Sequence, residues 1–327
     1  MNTLNDAIDA IRAAERIAIT THIRPDGDAL GSTLGLRRIL SATGRQAAIV
    51  AMDPPPLRYR FMLREDVIIP ASETSPDAYD LLIVLDTGAP DRVPSSIRDW
   101  MPRLRTLNID HHPTNTGFAD INHVNPVASS VGEMICELAE RAGFAISADA
   151  AEALWVALIT DTGRFAYSNT RPATLQAAAA LLRTGIPTSL IDDRIYNTTT
   201  AAQIRLQGRA IQHLELHENG RCAMVSLSRE DFAESGCTGE DADEIVNIPR
   251  RVMGADVAVF LYELQGDKPR ETKASFRTGE PFDAASLCRE LGGGGHARAA
   301  GCTLPMPLPQ AREHILAVIH NAWFTAS

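Results

Sequence analysis

The chain has 327 residues, 45% of them hydrophobic and 22% charged, with a formal net charge of −10. That length and apolar content suit two globular domains, and the negative balance argues against a broad basic face holding long DNA or RNA, though not against a small anionic substrate that bound divalent cations could attract. Five cysteines without a CxxC pair (Cys136, Cys222, Cys237, Cys288 and Cys302) speak against a disulfide framework or structural zinc and for a reducing cytoplasm, and no apolar run is long enough to span a membrane.

Residues 2–15 read as an amphipathic helix carrying Asp6, Asp9 and Glu15, without the apolar core of a signal peptide. Arg16–Ile23 is an apolar run that reads as a buried strand, and Ala29–Ser41 as the helix after it. Ala48–Met52, Asp80–Asp86 and Thr106–Asp110 read as further parallel strands. Ser130 with Glu133 three residues on has the spacing of a capping box, opening a helix to Ala142. A second helix is expected over Ala148–Ile159, and a third from Pro172 to a stop at Gly185. Strands alternating with helices predict an α/β domain with a largely parallel sheet over residues 1–186.

Ile186–Thr200 reads as a connector with a short helix, the linker proper being 187–200. The rest, 201–327, reads as a smaller mixed α/β domain. It opens with a helix over Ala201–His213. His213–His217 and Arg221–Leu227 form a hairpin about Asn219 and Gly220. Ala255–Leu264 and Glu271–Thr278 form a second one around Gln265–Pro269. Helices are expected near Glu240–Ile248, Asp283–Leu291 and Gln310–Ala322.

Four segments of the first domain put acids or imidazoles where a strand or helix ends. In open α/β sheets, that is where the binding crevice lies. His22 ends a strand, Pro25 and Gly27 turn the chain, and Asp26 and Asp28 stand two residues apart in the bend. Alone, this could be a polar loop with an acidic helix start. Asp86 ends the run Leu81–Leu85 and alone could be a loop former. Asp110, His111 and His112 end another apolar strand; successive side chains on a strand point opposite ways, so the two histidines are expected to do different jobs. Asp161 lies near the C-terminus of an apolar helix, where a carboxylate opposes the helix dipole unless a cation offsets it. Together these carboxylates and imidazoles suit two divalent ions. The oxygen-rich set fits Mn²⁺, with Mg²⁺ or Co²⁺ as alternatives, and no thiolate selects zinc. In the second domain the glycine run Gly292–Gly295 could bring backbone N–H groups close to an anion. Its other reading is a flexible hinge, and His296 beside it, with Arg277 on a preceding strand, favours substrate binding.

In order and spacing, HxxxDxD (His22 to Asp28), the strand-end Asp86, the literal DHH of residues 110–112 and the DTG of residues 161–163 resemble the DHH phosphoesterases. The stretch from Lys273 to Arg277, followed by Gly292–Gly295, His296 and the residues to Gly301, resembles the DHH-associated C-terminal domain. The resemblance spans nearly the whole chain. It is closest to the bacterial nanoRNase/pAp phosphatases, which degrade very short oligoribonucleotides and dephosphorylate 3′-phosphoadenosine 5′-phosphate (pAp). It implies that His22, Asp26 and Asp86 hold one metal, and that Asp28, Asp86, His111 and Asp161 hold a second, with Asp86 bridging. His112 would contact the scissile phosphate and assist the leaving oxygen, and Asp110 would orient a histidine. Arg277, Gly293, Gly294, Gly295 and His296 would bind substrate in an interdomain cleft. The implied substrate is a short oligoribonucleotide or a nucleotide bisphosphate, with no long nucleic acid or membrane as partner, and the implied assembly is a homodimer. The rival readings are an inorganic pyrophosphatase or polyphosphatase, disfavoured by the glycine-rich motif, and a non-catalytic nucleotide sensor, disfavoured by the complete ligand set.

Overall fold

The protein was analysed as a computed structural model that describes residues 2–242, 244–266 and 270–324. The chain divides into two compact units, Met1–Thr198 and Thr199–Ser327.

The first unit is built on a six-stranded sheet: β1 (Arg16–Thr21), β2 (Gln46–Val50), β3 (Ile68–Ile69), β4 (Leu81–Leu85), β5 (Arg105–Asp110) and β6 (Ile121–Val124), in the order β3-β2-β1-β4-β5-β6. Every pairing is parallel. Its helices are α1 (Leu4–Ala13), α2 (Gly27–Ala42), α3 (Ser95–Arg98), α4 (Val131–Ala142), α5 (Ala148–Asp161), α6 (Pro172–Leu182) and α7 (Thr188–Asp192). Both faces of the sheet are covered, which is why β4 is an unbroken apolar run. Leu81, Ile83 and Leu85 join the larger core with α1, α2, α4 and α5, while Leu82 and Val84 pack with Val93, Ile97 and Trp100 on the other side.

β3 and β6 were not anticipated: β3 is only two residues long, and β6 carries the polar Asn122 and His123. The capping box at α4 forms by half. Ser130 Oγ accepts from the Glu133 N–H, but the Glu133 carboxylate accepts from Ser129 and Thr174 instead of from the Ser130 N–H. Residues 188–197 form α7 and a π turn, and Ile191 and Ile195 belong to the core of the first unit.

The second unit opens with α8 (Ala201–Gln212) and carries a mixed sheet: β7 (Leu214–His217), β8 (Cys222–Leu227), β9 (Val257–Glu263), β10 (Thr272–Thr278), β11 (Gly294–His296) and β12 (Ala299–Leu304), in the order β11-β12-β10-β9-β8-β7. Only β8 and β9 pair in parallel. α9 (Arg229–Ser235), α10 (Asn247–Arg250), α11 (Ala284–Glu290) and α12 (Leu308–Ile319) complete it. The helix expected over Glu240–Ile248 is instead a 3₁₀ turn at Gly239–Ala242, opened by the Asp241 carboxylate accepting from the Thr238 N–H at 2.8 Å, and the short α10; residue 243 lies outside the described residues. Residues 267–269 of the expected second hairpin turn also lie outside them. Among the described residues no helix is long and apolar enough to cross a membrane.

Candidate metal centre and active site

β1 and β4 are neighbours from which the chain winds outward in opposite directions, so the crevice at their carboxyl ends is the switch point of the sheet. His22 follows β1, Asp86 follows β4, and Asp110 ends β5, delivering His111 and His112. Two helix ends meet the same place. α2 begins with Asp26 as its N-cap and Asp28 in its first turn, and α5 ends at Asp161. Close packing puts them there. A Cβ on Gly27 would lie 2.5 Å from the Thr160 side chain, one on Gly31 2.4 Å from the Ala153 carbonyl, and one on Gly35 2.6 Å from Leu154. Glycine at every fourth position lets α2 lie almost backbone-to-backbone on α5.

Asp86 is the centre. It is 3% exposed and has a left-handed backbone (φ 52°), a conformation that aspartate tolerates better than most residues. One carboxylate oxygen, Oδ2, lies 3.6 Å from His22 Nε2; the other, Oδ1, lies 3.5 Å from His111 Nε2 and is buried without a hydrogen-bond partner. Burial alone would raise this carboxyl, but the imidazoles on either side hold it well below the usual carboxylate range.

Both imidazoles are fixed the same way. His22 Nδ1 donates to the Ile23 carbonyl at 2.9 Å, and His111 Nδ1 to the Ala128 carbonyl at 3.3 Å. Each therefore turns Nε2 toward the carboxylates, as metal-ligating histidines do. His111 Nε2 is 3.3 Å from Asp161 Oδ2 and 3.9 Å from Asp28 Oδ2, and His22 Nε2 is 4.0 Å from Asp26 Oδ1. Burial opposes charge on both rings, but Asp86 and the other carboxylates outweigh it. His22 is raised to about 9 and His111 to about 11.

Asp28 is 1% exposed and accepts from Ser32 Oγ and from the Val131 and Gly132 N–H groups at the start of α4, at 2.9, 2.7 and 3.0 Å. Burial first, then the Asp86 charge, raises it to about 7. Burial and the Asp28 charge push Asp161 up as well. A buried carboxylate oxygen without a hydrogen-bond partner, carboxylates pushed toward protonation and two aimed imidazoles form a donor set that fits divalent cations. Among the described residues, three groups of ligand atoms, each within 4.8 Å of one another, share Asp86: His22, Asp26 and Asp86; Asp28, Asp86 and His111; and Asp86, Asp110 and His112.

His112 makes a different contact. Its Nδ1 donates to Asp110 Oδ1 at 2.8 Å, and Asp110 is fully buried. Burial opposes charge on His112, but the Asp110 bond raises it. The two histidine rings nevertheless lie side by side, with centroids 4.9 Å apart, because β5 stops at Asp110 and strand alternation no longer applies. Two features were missed in the sequence. The α4 N–H groups that grip Asp28 follow from a fold, not a motif, but the four-residue spacing of Gly27, Gly31 and Gly35 was there to be read.

The remaining candidates lie in the second unit. Ala299 of β12 pairs with Arg277 of β10 on one side and with His296 of β11 on the other. Residues aligned across neighbouring strands point to the same face, so Arg277 and His296 share a face with a methyl group between them. Within the glycine run, Gly293 and Gly295 serve the sheet: a Cβ on Gly293 would lie 2.2 Å from the Gly301 carbonyl, and one on Gly295 (φ 140°) 2.6 Å from the Ala299 carbonyl. Gly294 faces open space.

Comparison with known proteins shows the family. Residues 16–158 match the DHH family, N-terminal domain, and residues 220–323 the DHHA1 domain. The chain is 34% identical over 316 residues to the bifunctional oligoribonuclease and PAP phosphatase NrnA of Thermus thermophilus, covering 96% of this chain and 92% of that protein. It is 30% identical over 302 residues to the Bacillus subtilis protein of the same name, covering 91% and 92%. An exopolyphosphatase-related protein from Bacteroides fragilis, known by crystal structure, superposes with a TM-score of 0.88 at 26% identity, covering 97% of this chain and 95% of that one.

Proposed function

The chain belongs to the DHH family and is a phosphoesterase, and on that premise we propose that it hydrolyses short oligoribonucleotides to mononucleotides and pAp to AMP. The observation that carries the reading is the convergence of His22, Asp28, His111 and His112 on the buried Asp86, in a chain similar over nearly its full length to proteins named for those two activities.

In this reading His22, Asp26 and Asp86 hold one divalent cation, and Asp28, Asp86, His111 and Asp161 a second. Mn²⁺ suits the oxygen-and-imidazole set. Bound cations there would polarise a phosphoryl oxygen and make water more acidic. The protein groups do the rest. The backbone carbonyls of Ile23 and Ala128 keep the ligand imidazoles in register. As a water oxygen adds to phosphorus and gives up a proton to solvent, from which His112 later regains its own, the bond to the leaving ribose oxygen breaks. His112, protonated and held through Nδ1 by Asp110, gives its Nε2 proton to that oxygen. Arg277, His296 and the backbone near Gly294 bind the nucleotide. We place the reaction in the cytoplasm, in keeping with five unpaired cysteines.

A second reading is polyphosphate hydrolysis, favoured by the likeness to the exopolyphosphatase-related protein. The test is Mn²⁺-loaded protein offered pAp, pApA, inorganic pyrophosphate and polyphosphate, with products separated by ion-exchange chromatography. AMP from both nucleotides, with little phosphate from the inorganic substrates, is the expected result. Faster turnover of polyphosphate would replace the first reading by the second.

A further inference from the structure

Behind His112 runs a chain of side chains that no motif announces. Asn115 Nδ2 donates to Asp110 Oδ2 at 2.6 Å and to Asn108 Oδ1 at 2.8 Å. Asn108 is fully buried, and its own Nδ2 donates to the Val84 and Thr87 carbonyls at 3.0 and 3.2 Å. Those two carbonyls flank Asp86. The connection therefore passes from the backbone around Asp86, through Asn108 and Asn115, to Asp110 and on to His112. Gly88 lies alongside: a Cβ there would be in ordinary contact with His112 Cβ at 3.5 Å and Asp110 Oδ2 at 3.6 Å. An amide that uses its donors on a buried carboxylate and a neighbouring amide leaves that carboxylate one orientation.

We propose that Asn115 is a positioning residue for proton delivery: by fixing Asp110 to the strand that carries Asp86, it holds His112 in register with the metal centre. This rests on the reading of His112 as the donor to the leaving oxygen. The alternative is that Asn115 only shapes its loop, since its Oδ1 also accepts from the Gly117 N–H at 2.8 Å.

Two substitutions and two substrates separate these. Asn115→Ala removes both the donors and the Gly117 contact. Asn115→Asp keeps the size and the Gly117 contact, loses the donors, and sets a second carboxylate against Asp110. Each variant, with His112→Ala as reference, is assayed on pApA, whose leaving alkoxide needs a proton, and on bis(p-nitrophenyl) phosphate, whose leaving phenolate does not. Bound Mn²⁺ is measured on the same samples. Loss of a supporting side chain of this kind typically lowers activity about 10–100-fold. The expected result is a kcat loss of that order on pApA in both Asn115 variants, Asp at least as poor as Ala, with nitrophenyl turnover nearly unchanged and Mn²⁺ retained. Recovery in Asn115→Asp, equal loss on both substrates, or loss of Mn²⁺ would overturn the proposal. If His112→Ala itself fails to distinguish the substrates, it is the underlying role of His112 that falls.

Discussion

Gly27 lies against Thr160 so closely that a methyl group at Gly27 would come within 2.5 Å of its side chain. The contact joins the N-terminus of α2 to the C-terminus of α5, and so brings Asp28 and Asp161 to one site. Gly27→Ala should therefore damage the metal centre although no ligand is touched. At this first position of α2 alanine gains less than the about 1 kcal/mol of helix propensity it brings to a helix interior. The clash is with a threonine Cβ as well as its tips, and overpacking of this kind costs about 1–3 kcal/mol, so sterics should win. A lower melting temperature without metal, together with weaker Mn²⁺ binding, is expected. Unchanged Mn²⁺ affinity would detach the helix contact from the site.

Asp86 calls for two substitutions rather than one. Its φ of 52° is tolerated by asparagine, whereas left-handed backbone costs other residues about 1–2 kcal/mol. Asp86→Asn should abolish turnover and Mn²⁺ binding while keeping the fold. Asp86→Ala should do the same and also lower the melting temperature. Turnover in Asp86→Asn above a few per cent of wild type would remove Asp86 from the centre.

Metal affinity should rise with pH. In the metal-free protein His22 and His111 are raised to about 9 and 11, and Asp28 to about 7. Below those values each carries a proton that a cation must displace, because ligation needs neutral imidazole and ionised carboxylate. Mn²⁺ binding at pH 7 should release protons, and the affinity should climb toward pH 9. Calorimetry in two buffers of different ionisation heat measures the release. Binding without proton release, or affinity that falls as pH rises from 6 to 8, would contradict the arrangement.

On the second unit, Ala299 stands between Arg277 and His296 across β12. Ala299→Leu should raise KM for pApA by filling the face they share, and Arg277→Ala should lower kcat/KM by removing a charge-assisted contact. Neither should change Mn²⁺ content. Unaltered pApA kinetics in both would release this face from substrate binding.

The sheet and the acidic residues of the first unit could be read in advance because β1 and β4 are largely apolar runs that stop at His22 and Asp86, and β5 alternates Leu107 and Ile109 with polar residues up to Asp110. What escaped was what tertiary structure alone creates. β6 is partly polar, so no apolar run marks it. β11 is built on Gly294 and Gly295, which strand propensity disfavours, and it exists because backbone can lie close against β12. Glu133 had the spacing to close a capping box, but Ser129, Thr174 and Arg171 offer its carboxylate more partners. Asn115 would have passed for a turn residue, and its contact with Asp110 appears only when the loop folds back over β5.

The proposed preference of the centre around Asp86 is for very short ribonucleotides. It is tested most directly by initial rates of Mn²⁺-loaded protein on 5′-labelled RNAs from dinucleotide to 24-mer at equal concentration of ends. The expected result is fastest release of mononucleotide from the dinucleotide, a steep fall with length, and no turnover at any length in Asp86→Asn. A 24-mer degraded as fast as the dinucleotide would contradict it.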